Sequence, residues 1–169
     1  TISVEPTTDF ILNKTASGTL GSLNFTSGAN IMGSLTINHT GNPTNTLTIN
    51  DPLILLVDLT ISSGELILAA NDKLSLTGNL TNNGTLTLEN GATLVQGASS
   101  VYSGSGTVQV KQIITGAGTT TPTGRFWYLG SPVSLASSSV YFGNAANVVK
   151  KRDEENNAWT ALSSGSPEN

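Results

Sequence analysis

Two stretches of this chain repeat nearly the same phrase, SGELILAANDKLSLT at residues 63–77 and NGTLTLENGATLVQ at residues 83–96. Gly64 and Gly84 stand 20 residues apart. The leucines recur at the same offset: Leu66 and Leu86, Leu68 and Leu88, Leu74 and Leu94. Self-similarity at a fixed period of about 20 residues is typical of a repeat architecture, so the fold is expected to be built from stacked copies of one unit.

Each unit contains three short segments of alternating apolar and polar residues: LTI at 59–61, ELIL at 65–68 and KLSL at 73–76. Strict alternation predicts strands with one buried face, and no window shows the 3.6-residue period of a helix. Three strands in about 20 residues are typical of one β-solenoid coil, which pairs with the next coil about 4.8 Å away. We therefore predict an all-β fold, a right-handed parallel β-solenoid of roughly four to five coils. Its handedness rests on the general preference for right-handed crossovers.

The alignment also predicts which side chains stack in the core. One column contains Leu47, Leu66, Leu86 and Val108, and a second contains Ile49, Leu68, Leu88 and Val110. The turns between strands carry Asn50-Asp51, Asn71-Asp72 and Asn90-Gly91. Asparagine and aspartate tolerate left-handed backbone and bond nearby amides, so these corners are interpreted as structural.

The repeat sets the predicted domain organisation. Residues 1–113 form the solenoid with one or more irregular capping coils at its N-terminal end, and residues 114–124, ITGAGTTTPTG, form a linker or long loop. Residues 125–169 form a small all-β extension. In that extension the charged run from Lys150 to Glu155 is expected at the exposed tip of a hairpin, with a second strand around Trp159.

Composition excludes several classes of function. Charged residues make up 11% of the chain and the formal net charge is -4, so the basic footprint of a nucleic-acid-binding protein is missing. The chain contains no cysteine, which excludes disulfides and thiolate metal sites. No run approaches the roughly 18 apolar residues of a membrane-spanning helix. The first residues lack the pattern of a signal peptide, so the chain is expected to be a mature product or a fragment.

The sequence offers no convincing catalytic, cofactor or metal site. Carboxylates in the repeat are scattered over separate strands and turns: Asp51, Asp58, Glu65, Asp72 and Glu89. Glu65 is expected to stack between Thr46 and Thr85 rather than beside a second acid. A polysaccharide lyase or hydrolase needs clustered carboxylates, so enzymatic activity is not expected. His39, in the turn-like stretch NHTGNP, is interpreted as a surface residue.

Aromatic residues cluster in RFWYL at 125–129 of a chain that is otherwise poor in them. Flat rings with a polar edge suit sugar binding, which makes Trp127, Tyr128 and Trp159 the candidate glycan contacts. Alternation in one strand would send Trp127 to the face opposite Phe126 and Tyr128, so packing in a core or cap is the favoured interpretation.

Outward-facing threonines raise the alternative of an ice-binding face. Thr46 and Thr48 flank Leu47, and Thr85 and Thr87 flank Leu86, so both pairs are predicted to face outward. The coil between them presents Glu65 and Ile67 instead, which interrupts the array. Ice binding is therefore kept as a minor alternative.

The stretch SGELILAANDKLSLTGNLTNNGTLTLENGATLVQ, followed by GRFWYLGSPV and KKRDEENNAW, resembles the stalk-to-tail segment of large surface or secreted repeat proteins of the Bacteroidota. In such proteins the segment commonly lies upstream of a type IX secretion sorting domain. The run of Trp127, Ser131, Pro132 and Val133 carries the resemblance most specifically.

This resemblance implies a structural or adhesive protein that is secreted or held at the cell surface, acting as a rigid spacer or scaffold. Its implied partners are other domains of a longer parent chain, or neighbouring surface proteins. Carbohydrate binding through the exposed aromatic residues is the alternative, with glycans as partners. Neither a nucleic acid nor a membrane span is expected.

Overall fold

A computed structural model describes residues 2–16, 18–26, 28, 30–41, 45–113 and 150–161. The chain divides into two compact units, Thr1–Ile113 and Ile114–Asn169. All regular secondary structure in the described residues is β-strand, which confirms the predicted all-β class. This part of the chain includes no candidate for a membrane-spanning helix.

Three parallel sheets build the first unit, with strands from five successive coils in sheets 1 and 2 and from four in sheet 3. Sheet 1 contains β1 (Asp9–Lys14), β4 (Ser34–His39), β7 (Leu59–Ser63), β10 (Leu80–Asn82) and β13 (Tyr102–Ser103). Sheet 2 contains β2 (Gly21–Leu23), β5 (Thr46–Ile49), β8 (Glu65–Leu68), β11 (Thr85–Leu88) and β14 (Thr107–Val110). Sheet 3 contains β3 (Ile31–Met32), β6 (Leu53–Leu55), β9 (Lys73–Leu76) and β12 (Thr93–Gln96). The predicted parallel β-solenoid is confirmed, with about four turns.

The register of sheet 2 confirms both predicted columns. Leu47 pairs with Leu66, Leu66 with Leu86, and Leu86 with Val108. Two residues further along the same strands, Ile49, Leu68, Leu88 and Val110 pair in the same order. The repeat period therefore reports the coil-to-coil register directly, whereas the handedness of the coil stays a prediction.

Alternation places the core between the three sheets. Within β8, Leu66 and Leu68 are buried while Glu65 and Ile67 are half-buried on the outer face. The buried apolar side chains of all three sheets form one cluster, which also includes Val4 and Phe25. This continuous column of aliphatic side chains is the main source of stability, because burying one such side chain contributes about 1.5–3 kcal/mol.

Polar side chains tie the corners of neighbouring coils together. Asp51 accepts a hydrogen bond from the Phe25 amide at 2.7 Å through Oδ2. The Asn90 Oδ1 accepts one from the Ile113 amide at 2.9 Å. Asn71 has a positive φ of 65°, the left-handed backbone expected at such a turn. These contacts support the structural interpretation of the Asn and Asp corners.

The second unit contains an antiparallel hairpin, β15 (Lys150–Asp153) and β16 (Ala158–Ala161). The prediction that the basic residues sit at the hairpin tip is wrong, because Lys150, Lys151 and Arg152 lie within β15. The tip is the turn at 154–157. The basic side chains are accommodated in the strand because β15 is exposed or half-exposed along its whole length.

Candidate functional site

Of the three candidate glycan contacts, Trp159 falls within the described residues, and Trp127 and Tyr128 lie outside them. Trp159 sits in β16 directly opposite Arg152 of β15. Its side chain is 47% exposed. The structure therefore places one of the predicted aromatic contacts on an accessible hairpin.

Arg152 stacks on the Trp159 ring, with its guanidinium carbon 5.5 Å from the ring centroid. The same guanidinium donates through Nη1 to the Ala158 carbonyl oxygen at 3.3 Å, and through Nη2 to Asn157 Oδ1. Its Nε lies 3.5 Å from the Glu154 Oε1. One cation thus links the turn, the opposite strand and the indole ring. Such a stack is worth about 0.5–1 kcal/mol at an exposed site.

The turn of this hairpin is organised by Asp153. Its carboxylate accepts hydrogen bonds from the Asn156 side chain at 2.8 Å and from the Asn156 amide at 3.1 Å. These bonds lower the pKa of Asp153, the side-chain bond having the larger effect. Asn157 follows with a positive φ of 49°. The carboxylate is therefore ionised and committed to the turn.

A shallow hollow of about 490 Å³ lies beside this turn, lined by Lys151, Arg152, Asp153, Glu154 and Thr160. Charges of both signs line it, and Trp159 is not among the lining residues. Hydrogen bonding to a polar ligand is the chemistry that this lining can perform. The hairpin thus combines an accessible aromatic ring with nearby polar groups.

On the outer face of sheet 2, charged residues pair within the solenoid. Glu65 stacks between Thr46 and Thr85, as predicted. It accepts a hydrogen bond of 2.5 Å from the Thr87 hydroxyl. Further along the face, Lys111 Nζ lies 2.6 Å from the Glu89 Oε1.

That hydrogen bond to Glu89 raises the pKa of Lys111, and the negative charges of Glu89 and Glu65 add to the effect. Lys111 is therefore fully charged and neutralises Glu89. Glu65 is bound to Thr87 and Glu89 to Lys111, so the two acids are held in separate pairs.

The prediction that Thr87 faces solvent is wrong, since its side chain is completely buried. Alternation does point it away from the leucine core, but Ile67 and Gln109 stand beside it in the neighbouring coils. The Thr87 hydroxyl donates to the Glu65 carboxylate on the same face. The pair of Thr85 and Thr87 therefore does not present two exposed hydroxyls.

The prediction that His39 is a surface residue is also wrong, because it is 1% exposed. His39 occupies the third inward position of β4, after Leu35 and Ile37. Its Nδ1 lies 3.3 Å from the Asn45 carbonyl oxygen, and among the described residues its Nε2 has no hydrogen-bond partner. The alternation of the sequence LTINH places His39 on the inward face of the strand. The turn-like residues that follow it favoured the surface interpretation instead.

Sequence reasoning missed a hydroxyl column on sheet 1. Thr36 pairs with Thr60, Thr60 with Thr81, and Thr81 with Ser103. The last two hydroxyls lie 3.1 Å apart. These positions are 24, 21 and 22 residues apart, close to the repeat period, and that spacing could have predicted the column.

Acidic residues approach one another at one corner of the solenoid. Partial burial, and then the negative charge of Asp51, raise the pKa of Asp72 above its ordinary value. Within the described ranges, no group of three or more His, Cys, Asp or Glu side chains is arranged to hold a metal ion. The corner is therefore a pair of repelling carboxylates.

Comparison of the chain with protein-family models, with curated proteins and with solved structures finds no match. Functional inference consequently depends on the residues and their geometry. The two features that carry it are the repeated coil of the first unit and the aromatic hairpin of the second.

Proposed function

We propose that this chain is a structural segment of an extracellular or cell-surface repeat protein, in which it acts as a rigid spacer or scaffold. The observation that carries the proposal is the unbroken register of the leucine columns from β5 to β14. Each coil is bonded to the next by parallel main-chain hydrogen bonds and by a shared apolar core. Such a stack transmits force and holds attached domains at a fixed separation.

The polar corners and faces support the same role. Side-chain ladders such as Asn38 to Asn13 at 3.2 Å and Ser63 to Asn38 at 3.3 Å bridge successive coils on the outer face of sheet 1. They stiffen the stack through hydrogen bonds with little charge. The location and the partners follow from the resemblance to Bacteroidota surface proteins: a position outside the cell, and contacts with other domains of a parent chain or with neighbouring surface proteins. The proposal includes no catalytic step.

Removal of one whole coil tests the spacer role. Deletion of residues 64–83 joins Ser63 to Gly84 and preserves a glycine at the corner, because Gly64 and Gly84 occupy equivalent positions. The shortened chain should unfold cooperatively in urea. Small-angle scattering should show that the solenoid is shorter by one strand spacing, about 4.8 Å.

Deletion of residues 64–73 is the matched control, since it removes half a coil, including all of β8, and joins β7 of sheet 1 directly to β9 of sheet 3. That variant should not fold. If the whole-coil deletion is as disruptive as the half-coil deletion, the coils are not modular and the spacer proposal is wrong.

Carbohydrate binding is the second candidate, and the half-exposed Trp159 with Arg152 stacked on it favours this function. In this interpretation Trp127, Tyr128 and Trp159 supply the ring contacts. A glycan array with the full chain tests it: binding should be lost in Trp159→Ala and retained in Trp159→Phe. A chain that binds no glycan, or that binds equally well as Trp159→Ala, excludes Trp159 as a contact.

A further inference from the structure

Both ends of the solenoid finish in strands that pair on one side only. At the C-terminal edge these strands are β12, β13 and β14, and at the N-terminal edge they are β1, β2 and β3. Within the described residues no further strand covers either edge, although Ile2 forms a parallel bridge to Phe25, just beyond β2, at the N-terminal end. A row of unpaired main-chain groups at such an edge is a template for another strand.

Within the described residues, the strands of the C-terminal edge carry no charge or proline that would disfavour pairing. Natural edges carry charges, prolines or bulges that disfavour pairing. The sequences of these strands, TLVQ, YS and TVQV, contain neither a charged residue nor a proline. Apolar side chains remain accessible there, including Tyr102 at 45% and Val110 at 44% exposure. The edge is therefore suited to further pairing.

Hydrogen bonds identify which groups face outward on β14. The Thr107 amide donates to the carbonyl oxygen of Gly84, the residue before β11, at 2.8 Å. The Lys111 amide donates to the carbonyl oxygen of Leu88, in β11, also at 2.8 Å. Alternate residues of a parallel strand bond to opposite neighbours. The amide and carbonyl of Val108 and of Val110 therefore point away from β11, toward the uncovered side.

The N-terminal edge offers a matching surface. The carbonyl of Lys14 accepts from the Thr40 amide of the next coil at 3.0 Å. By the same alternation, the main-chain groups of Ile11 face the uncovered side of β1. Phe10, Leu12 and Leu20 are only partly buried, although they pack against the core cluster. This edge thus presents main-chain groups and incompletely covered apolar side chains together.

We propose that the N-terminal edge of a second copy of this chain docks on the C-terminal edge, so that copies stack head to tail. All three sheets of the solenoid are parallel, so only an N-terminal edge presents strands in the direction in which each coil meets the next. Phe10 and Tyr102 are the two ends of one column of sheet 1, which runs through Leu35, Leu59 and Leu80, so stacking would bring Phe10 of one copy onto Tyr102 of the other.

Charge does not oppose this contact. Asp9 and Lys14, of opposite sign, are the charged residues in β1, β2 and β3. The facing strands carry none. A head-to-tail contact leaves a free edge at each end of the pair, so the assembly can grow into longer stacks.

Proline variants of the full chain test the proposal. Val110→Pro removes an amide from the C-terminal edge, and Ile11→Pro removes one from the N-terminal edge, where the Ile11 side chain is 62% exposed. Neither change breaks a hydrogen bond within the solenoid, so both variants should keep the circular dichroism spectrum of the parent. Val110→Thr is the control, because it keeps the amide.

Analytical ultracentrifugation over a range of concentrations gives the readout. The parent chain and Val110→Thr should form species larger than a monomer as concentration rises, whereas each proline variant alone should stay monomeric. An equimolar mixture of the two proline variants should form a dimer, since each retains one intact edge.

Three results would overturn the proposal: a parent chain that is monomeric at every concentration, self-association that survives in Val110→Pro, or a mixture that stays monomeric. Dimerisation of Ile11→Pro alone would show that two C-terminal edges meet each other instead, which also contradicts head-to-tail stacking.

Discussion

Single residues in this solenoid have sharply different roles according to the side of the strand on which they lie. Leu66 in β8 is fully buried, while Ile67, next to it, is half-buried on the outer face. Both are large and aliphatic, so they offer a test of inward and outward positions that does not depend on chemical type. The contrast isolates the contribution of the core column.

Leu66→Ala should destabilise the chain by about 2–5 kcal/mol, because it removes buried methyl groups and leaves a cavity between coils. Ile67→Ala should cost clearly less, since its side chain is already in partial contact with water. Urea denaturation of the two variants measures both effects. Equal losses would mean that the two faces of β8 are not distinguished as described.

Asp72 gives the molecule a pH-dependent weakness. Its pKa is raised in the folded state by partial burial and by Asp51, so the folded chain holds this proton more tightly than the unfolded chain. Stability is therefore lost as pH rises from the ordinary pKa of an aspartate through the raised value. The loss persists at neutral pH.

Asp72→Asn should accordingly stabilise the chain at neutral pH and have no such effect at an acid pH below the ordinary pKa. The gain should stay below about 1 kcal/mol, because both carboxylates remain partly accessible to solvent, which screens their repulsion. Urea midpoints at the two pH values measure it. A variant that is no more stable than the parent at neutral pH would contradict this account of the corner.

Strands of the repeated coils could be predicted closely because alternation and period reinforce each other there. The segments at 65–68 and 73–76 are the observed bounds of β8 and β9, and the segment at 59–61 lies within β7. Alternation predicts which face of a strand a side chain occupies but not how deeply that face is buried, and for this reason Thr87 was misplaced. His39 was misplaced because local turn residues outweighed the periodicity of β4.

The candidate hairpin could be predicted only in part. The sequence indicated two strands and a charged segment, but not that Arg152 would stack on Trp159, since cross-strand register decides which residues face each other. The basic run was assigned to the tip because charge suggests exposure. An exposed strand satisfies the same requirement, and the composition cannot distinguish the two.

Corners between strands depend on glycine where the backbone of one coil meets the next. Gly64, between β7 and β8, has a φ of +81°, and a Cβ atom there would lie 2.7 Å from the Cβ of His39. Gly21, at the start of β2, has a similar φ of +84° with nothing within 4 Å. Both positions have a left-handed backbone that strains any residue with a side chain. Only at Gly64 would an added Cβ also clash with a neighbouring coil.

Gly21→Ala should therefore cost about 1–2 kcal/mol, the strain of a left-handed residue with a side chain. Gly64→Ala should cost more, because the corner must also move away from His39. Thermal denaturation of both variants makes the comparison. Similar losses would show that the corner has room for a methyl group and that close approach of the coils is not what requires glycine.

As a whole molecule, the first unit is defined by a constant rise from coil to coil. Two outward columns sample this rise on different sheets: Thr36, Thr60, Thr81 and Ser103 on sheet 1, and Thr48, Ile67, Thr87 and Gln109 on sheet 2. Each column spans three coil intervals. At about 4.8 Å per interval, the first and last residues of each column should lie about 14 Å apart.

Spin-label distances test this central claim most directly, and the absence of cysteine allows labels to be placed at chosen pairs without interference. Labels at Thr36 and Ser103, and separately at Thr48 and Gln109, should give nearly the same distance, although 67 and 61 residues separate the two pairs. Deleting residues 64–83 should shorten both distances by one interval. Unequal distances, or distances that do not change when the coil is removed, would contradict the solenoid and the scaffold role built on it.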